Sequence, residues 1–213
     1  MVLSVHGHDF TNNNLSTMQN MEFKCIIWNA DGIRDKLSEI PFFLTQHNPD
    51  IFVITESHLS RSFKLRFPNY IIFRNDGPNS SGGIVMCVKC TLNPQKIKIN
   101  APDTVESTSI VLPSLNLSFV GDYNHPNNIL RPNFLNSCFR HPYTSFLMGE
   151  LNARHPLWGN ITHNRAGREL THYITVMSFT LIVLPTFLAM APHPLSSIYF
   201  CATVHPPHVK CLL

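Results

Sequence analysis

Ser145-Phe146-Leu147-Met148-Gly149-Glu150-Leu151-Asn152-Ala153 opens as a short apolar run and breaks at a glycine. It then offers an acid and an amide two positions apart. The run reads as a buried strand ended by Gly149. Side chains of an extended segment repeat every two residues, so Glu150 and Asn152 lean the same way. His155 and Trp158 lie just beyond. An acid and an amide at the exit of a buried strand suit a site that handles water and phosphate. The same residues also read as a polar turn after a core strand, and the rest of the chain has to decide between the two.

Upstream, Phe23 to Asn29 reads as a buried first strand and Asn29-Ala30-Asp31-Gly32 as a turn, with Asp31 a helix N-cap. Ile33, Leu37, Ile40 and Leu44 recur at helical spacing. Pro41 should end or kink that helix. Ile51 to Thr55 is a second buried strand with Glu56-Ser57-His58 at its exit. This β-α-β start puts Asn29 and Glu56 at neighbouring strand ends, where ligand groups gather in α/β layers. A carboxylate beside an amide is a hard, oxygen-rich setting that suits Mg²⁺ or Mn²⁺.

Further strands are expected at Tyr70 to Arg74, Ile84 to Lys89, Val105 to Leu112 and Leu115 to Tyr123. So many strands in succession favour two packed sheets over a plain doubly wound one. Tyr123 follows a strand and can offer its hydroxyl to an anionic oxygen. Arg131 to Phe139 reads as a short helix, and Asn164 to Leu170 leads into another. Thr175 to Ala191 is apolar enough to raise a membrane helix, but Pro185 interrupts it and it falls short of a span. Two strands, Thr180 to Leu184 and Ser197 to Ala202, fit better, so membrane insertion is not expected.

The 213 residues suffice for one substantial domain. Three parts are expected: a flexible leader over 1–21, a domain over 22–202, and an unrelated or disordered tail over 203–213. Charged residues are only 14%, low for a globular surface. The net charge of +3 mildly favours a polyanionic partner. The six cysteines are scattered, and Cys87-x-x-Cys90 lacks the second pair that a zinc site needs. No basic start is followed by an apolar run at the N-terminus, so secretion is not expected and an intracellular setting is.

Taken together and in order, a set of motifs resembles one family. They are Trp28-Asn29-Ala30-Asp31-Gly32-Ile33-Arg34, Thr55-Glu56-Ser57-His58-Leu59, Phe67-Pro68-Asn69-Tyr70 with Arg74-Asn75-Asp76, and Gly82-Gly83. Tyr123 with Pro126, Gly149 to Ala153 with His155 and Trp158-Gly159, and Asn164-Arg165 with Gly167 complete the set. The chain is similar to the endonuclease domain of jockey-type non-LTR retrotransposons, within the endonuclease/exonuclease/phosphatase superfamily. The resemblance implies a four-layer α/β/β/α sandwich and Mg²⁺-dependent (or Mn²⁺-dependent) hydrolysis of DNA phosphodiesters, in the nucleus, without a small-molecule cofactor. It implies that Glu56 and Asn29 hold the metal, and that Glu150, Asn152 and Tyr123 are catalytic. It further implies that Asn29, Tyr123, Asn152, His155 and Asn164 contact nucleic acid. It says nothing of oligomeric state.

Three departures from the family pattern predict impaired chemistry. Position 150 is Glu150 where the family has aspartate. Tyr199 stands where a late strand carries an acid. The family's closing Ser-Asp-His segment has no counterpart, so the sandwich is expected to lack its last strand. A remnant that binds DNA or metal without cleaving remains the alternative.

Overall fold

In the computed structural model the described residues are 3–4, 22–78, 81–139, 142–177, 180–184 and 199–203, with backbone alone for 3–4, 22, 180–184 and 199–203. In order they form β1 (Leu3–Ser4), β2 (Glu22–Phe23), β3 (Cys25–Asn29), α1 (Ile40–His47), β4 (Ile51–Thr55), β5 (Tyr70–Asn75), β6 (Ile84–Lys89) and β7 (Gln95–Ile97). Then follow β8 (Val105–Leu112), β9 (Leu117–Asn124), α2 (Pro132–Phe139), β10 (Thr144–Glu150), α3 (Arg165–Met177), β11 (Thr180–Leu184) and β12 (Tyr199–Thr203). Apart from β1 and Thr203, the expected leader and tail lie outside the described residues.

Two sheets carry the molecule. One has four strands in the order β3-β4-β6-β5, the other six in the order β11-β12-β10-β9-β8-β7. The strand period of two sorts their side chains into three cores. Ile51 and Val53 of β4 meet Ile84, Met86, Phe119, Phe146 and Met148 between the sheets. Phe52 and Ile54 point the other way, under Ile40, Phe43 and Leu44 of α1. Val120 and Leu147 leave the outer face of the larger sheet and pack under Phe134, Leu135, Ala166 and Leu170 of α2 and α3. Helix, sheet, sheet and helices therefore stack in the expected α/β/β/α order. Gly121 lets the sheets close: a Cβ there would lie 2.9 Å from the Met86 methyl.

The first helix differs from its expectation. Ile33, Leu37, Ile40 and Leu44 do recur at helical spacing, but two pieces satisfy them, a 3-10 turn at Arg34–Lys36 and then α1. Pro41 sits in the first turn of α1, where it needs no hydrogen-bond partner, and so starts the helix rather than ending it. Asp31 caps nothing; the residues before the 3-10 turn and α1 make no side-chain cap bond. Asn48 closes α1 in the left-handed region at φ 44°, its N–H on the Leu44 carbonyl.

Gly149 does not end β10, which runs on through Glu150 in parallel register with β9. The strand Thr180–Leu184 forms over those residues, and β12 (Tyr199–Thr203) overlaps the expected Ser197–Ala202 and runs one residue beyond it, 197–198 lying outside the described residues. β12 lies antiparallel between β10 and β11. Of the stretch weighed as a membrane helix, Thr175–Met177 ends α3, β11 follows, and 185–191 lie outside the described residues. Among the described residues no helix is long and apolar enough to cross a membrane.

Candidate active site

β3 and β4 run parallel, with Asn29 level with Thr55, and in the other sheet β9 and β10 run parallel, with Tyr123 level with Glu150. Four strand ends therefore meet at one end of the inter-sheet core. Asn29 Nδ2 donates to Glu56 Oε1 at 3.0 Å and to Glu150 Oε2 at 2.6 Å. Tyr123 Oη donates to Glu56 Oε1 at 3.1 Å. Thr55 Oγ1 lies 3.5 Å from Glu150 Oε2. Asn29, Tyr123 and Glu150 are buried, and Glu56 is partly open. One amide thus holds two carboxylates that would otherwise repel each other in a poorly solvated place. Burial first, and then the Glu56 carboxylate, push the Tyr123 phenol well above its usual range. In this structure the phenol is a hydrogen-bond donor to Glu56.

The turn after β3 zips onto the turn after β4. Ala30, Gly32 and Ile33 donate their N–H groups to the carbonyls of Thr55, Glu56 and Ser57 at 3.0, 2.8 and 3.2 Å. Asp31, Glu56 and His58 all take the left-handed region, at φ 41°, 49° and 51°. These bends aim one ligand atom from each of the three side chains to within 4.8 Å of one another. Two carboxylates and an imidazole make a hard, mostly oxygen donor set that fits a divalent cation. Glu56, one of the two expected metal residues, is in this set. Asn29, the other, lies beside it: its Nδ2 faces the carboxylates and its Oδ1 accepts the Asp31 N–H at 3.0 Å. In this arrangement it steadies Glu56. Asp31 and His58 were not among the expected metal residues, because their convergence on Glu56 comes from backbone bends, which side-chain spacing does not encode.

Beyond β10 the expected residues separate. Asn152 does not follow the strand period; left-handed at φ 47°, it is fixed by its Nδ2 on the Asn124 carbonyl at 2.8 Å. Asn164 is engaged at both ends of its carboxamide. Its Oδ1 accepts the N–H groups of Arg154 and Gly167 at 2.9 and 2.8 Å, and its Nδ2 donates to the Asn152 carbonyl at 2.7 Å. This residue, expected to contact nucleic acid, thus closes the loop from Ala153 to Asn164. His155 sits in that loop, its Nδ1 accepting the Leu157 N–H. Tyr199 opens β12, whose Phe200 pairs with Gly149, so position 199 is placed at the site end of the sheet.

No protein-family model matches the chain. It is 27% identical, over 89% of its length, to the "Probable RNA-directed DNA polymerase from transposon BS" of Drosophila melanogaster. It is 24% identical over 78% of its length to the RNA-directed DNA polymerase from mobile element jockey of the same species. The chain spans about a fifth of those relatives, 22% and 19% of their lengths. Among solved structures it superposes on the endonuclease domain of TRAS1, a telomere-specific non-LTR retrotransposon. That match has a TM-score of 0.60 at 14% identity and covers 84% of each chain.

Proposed function

We propose, from its likeness in fold to the endonuclease domain of a non-LTR retrotransposon and in sequence to jockey-type retrotransposon proteins, that the chain is a DNA endonuclease of the endonuclease/exonuclease/phosphatase type. It hydrolyses one phosphodiester bond of a duplex in the nucleus, at a slow rate. The observation that carries this reading is the Asn29 amide shared between Glu56 and Glu150 at the meeting point of four strand ends.

Glu56, Asp31 and His58 would hold Mg²⁺ or Mn²⁺, which when bound supplies positive charge against the phosphate and leaving oxygens. Glu150 accepts the proton of the attacking water as its oxygen bonds to phosphorus and the bond to the leaving oxygen breaks. Tyr123, whose one O–H donates to Glu56 in this structure, turns that proton to an anionic phosphate oxygen when substrate binds. Asn29 keeps the two carboxylates in register, and Asn152, pinned by Asn124, orients the phosphate. The slow rate follows from Glu150: its extra methylene lets the carboxylate fold down onto Asn29, and misplacement of about 1 Å costs about 10²-fold.

Nicking of supercoiled plasmid with Mg²⁺ tests the reading. Weak nicking that vanishes in Glu56→Ala and rises in Glu150→Asp is the expected result. The 2.6 Å contact that draws Glu150 onto Asn29 also favours a second reading, DNA binding without cleavage. Binding with no nicking, by the natural chain and by Glu150→Asp alike, would select it.

A further inference from the structure

The loop from Ala153 to Asn164 carries chemistry that the proposed reaction does not use. Leu157 is 69% exposed and Ile161 is 99% exposed, so two large apolar side chains stand in water at its tip. They are not there for want of structure. Trp158 of the same 3-10 turn is buried, with its indole N–H on the Ala153 carbonyl at 2.9 Å. Asn160 Oδ1 accepts the His155 N–H, Asn164 clamps the base, and the His155 ring lies 5.1 Å from that of Trp158. The loop is braced from inside while its two apolar residues are turned out.

Its charge is one-sided. Between Leu151 and Arg168 there is no aspartate or glutamate, while Arg154, Arg165, Arg168, His155 and His163 all fall in that span. A basic surface with an apolar tip matches a polyanion that also has apolar faces to offer, which describes stacked bases behind phosphates. The loop springs from the end of β10, the strand that carries Glu150, and its base is tied to Asn152 by Asn164. A preformed tip pays little ordering cost on binding.

We propose that Leu157 and Ile161 form a wedge that enters a groove of duplex DNA and loosens a base step next to the cleavage site, while the neighbouring arginines and histidines hold the phosphates. The proposal rests on the DNA reading of the site above and adds a part to it. The wedge selects deformable steps, because the cost of unstacking varies with sequence.

The test uses the full chain, a labelled duplex in EDTA, and 2-aminopurine placed at successive steps. Plasmid nicking is measured in parallel. Leu157→Ser with Ile161→Ser should weaken binding by about ten-fold, the scale of one apolar side chain left unburied, and abolish the 2-aminopurine rise. The salt dependence should stay unchanged. Arg154→Ala with Arg168→Ala should do the opposite, flattening the salt dependence while keeping the fluorescence rise. If the natural chain binds and nicks but the serine pair matches it in affinity and fluorescence, the wedge is wrong and the endonuclease reading stands. If the natural chain neither binds duplex at low salt nor nicks, both fall. If the serine pair changes only the sedimentation of the protein, the tip is a self-association surface and the proposal is overturned.

Discussion

Glu150 and Asp122 are buried acids on neighbouring strands, and they are treated in opposite ways. Glu150 looks between the sheets, where the Asn29 amide and the Thr55 hydroxyl wait for its carboxylate. Asp122, level with Gly149, is on the outer face with Val120, under the helical layer. It has no exposure, and neither of its oxygens has a hydrogen-bond partner among the described residues. Burial, and then the charge of Glu106, raise its pKa well above 3.8. Burial alone therefore does not make an acid chemically useful. Donors aimed at it from another element do, and they come from the sheet whose strand ends face it.

The sharpest way to break the comparison is to remove the donor. Asn29→Leu keeps the volume near β3 but leaves Glu56 and Glu150 facing each other without a shared N–H. Nicking should fall by about 10²–10³-fold, the cost of one well-placed donor. Equilibrium binding of Mn²⁺ should weaken as well, because Glu56 loses a bond that positions it. An unchanged rate would mean that the amide is an ornament of the core.

Next in size is the seam between the two acids. Gly149 has φ 140°, and a Cβ there would lie 1.9 Å from the Asp122 carbonyl oxygen. Gly149→Ala should therefore cost about 3 kcal/mol or more, through overpacking and backbone strain together. Urea denaturation followed by tryptophan fluorescence would show it. Glu106 offers a smaller check. It is buried but supplied with donors, the Gly83 N–H at 2.6 Å and His125 Nε2 at 2.8 Å. Glu106→Ala should cost about 1.5–3 kcal/mol, the worth of hydrogen bonds to a charged group.

Much of this was legible in the chain. β4, β6 and β8 form over the residues the apolar runs marked, because breakers bound each run and both faces of the strands are covered; β11 too forms over its expected residues. Asn29, Glu56, Tyr123 and Glu150 could be recognised at strand exits, and in this structure the parallel pairs β3/β4 and β9/β10 bring those exits together. What was not legible depends on backbone bends and on distant partners. Asp31 and His58 converge on Glu56 only because each is left-handed. Asn164 is held by Arg154, Gly167 and Asn152, partners that its own motif does not reveal. The burial of Asp122 carries no signal in the chain, since nothing in Gly121-Asp122-Tyr123-Asn124 says which side the helices will cover.

The smallest effect bears most directly on the comparison. With its folded-state pKa above the ordinary 3.8, Asp122 keeps its proton to higher pH in the folded chain than in the unfolded one. Below the unfolded value both states hold the proton and its contribution to stability is complete. As pH rises past that value the unfolded chain releases its proton first, so stability falls until the folded pKa is passed. Asp122→Asn removes that slope while nearly preserving shape. The variant should match the natural chain at acid pH and exceed it at neutral pH, by about 1.4 kcal/mol for each unit that separates the folded from the unfolded pKa. Denaturation midpoints of the two proteins at several pH values give the difference directly, and taking the difference cancels the titration of all other groups. If the two curves run parallel, Asp122 has found a donor in solution, and the contrast with Glu150 reduces to which sheet face each one occupies.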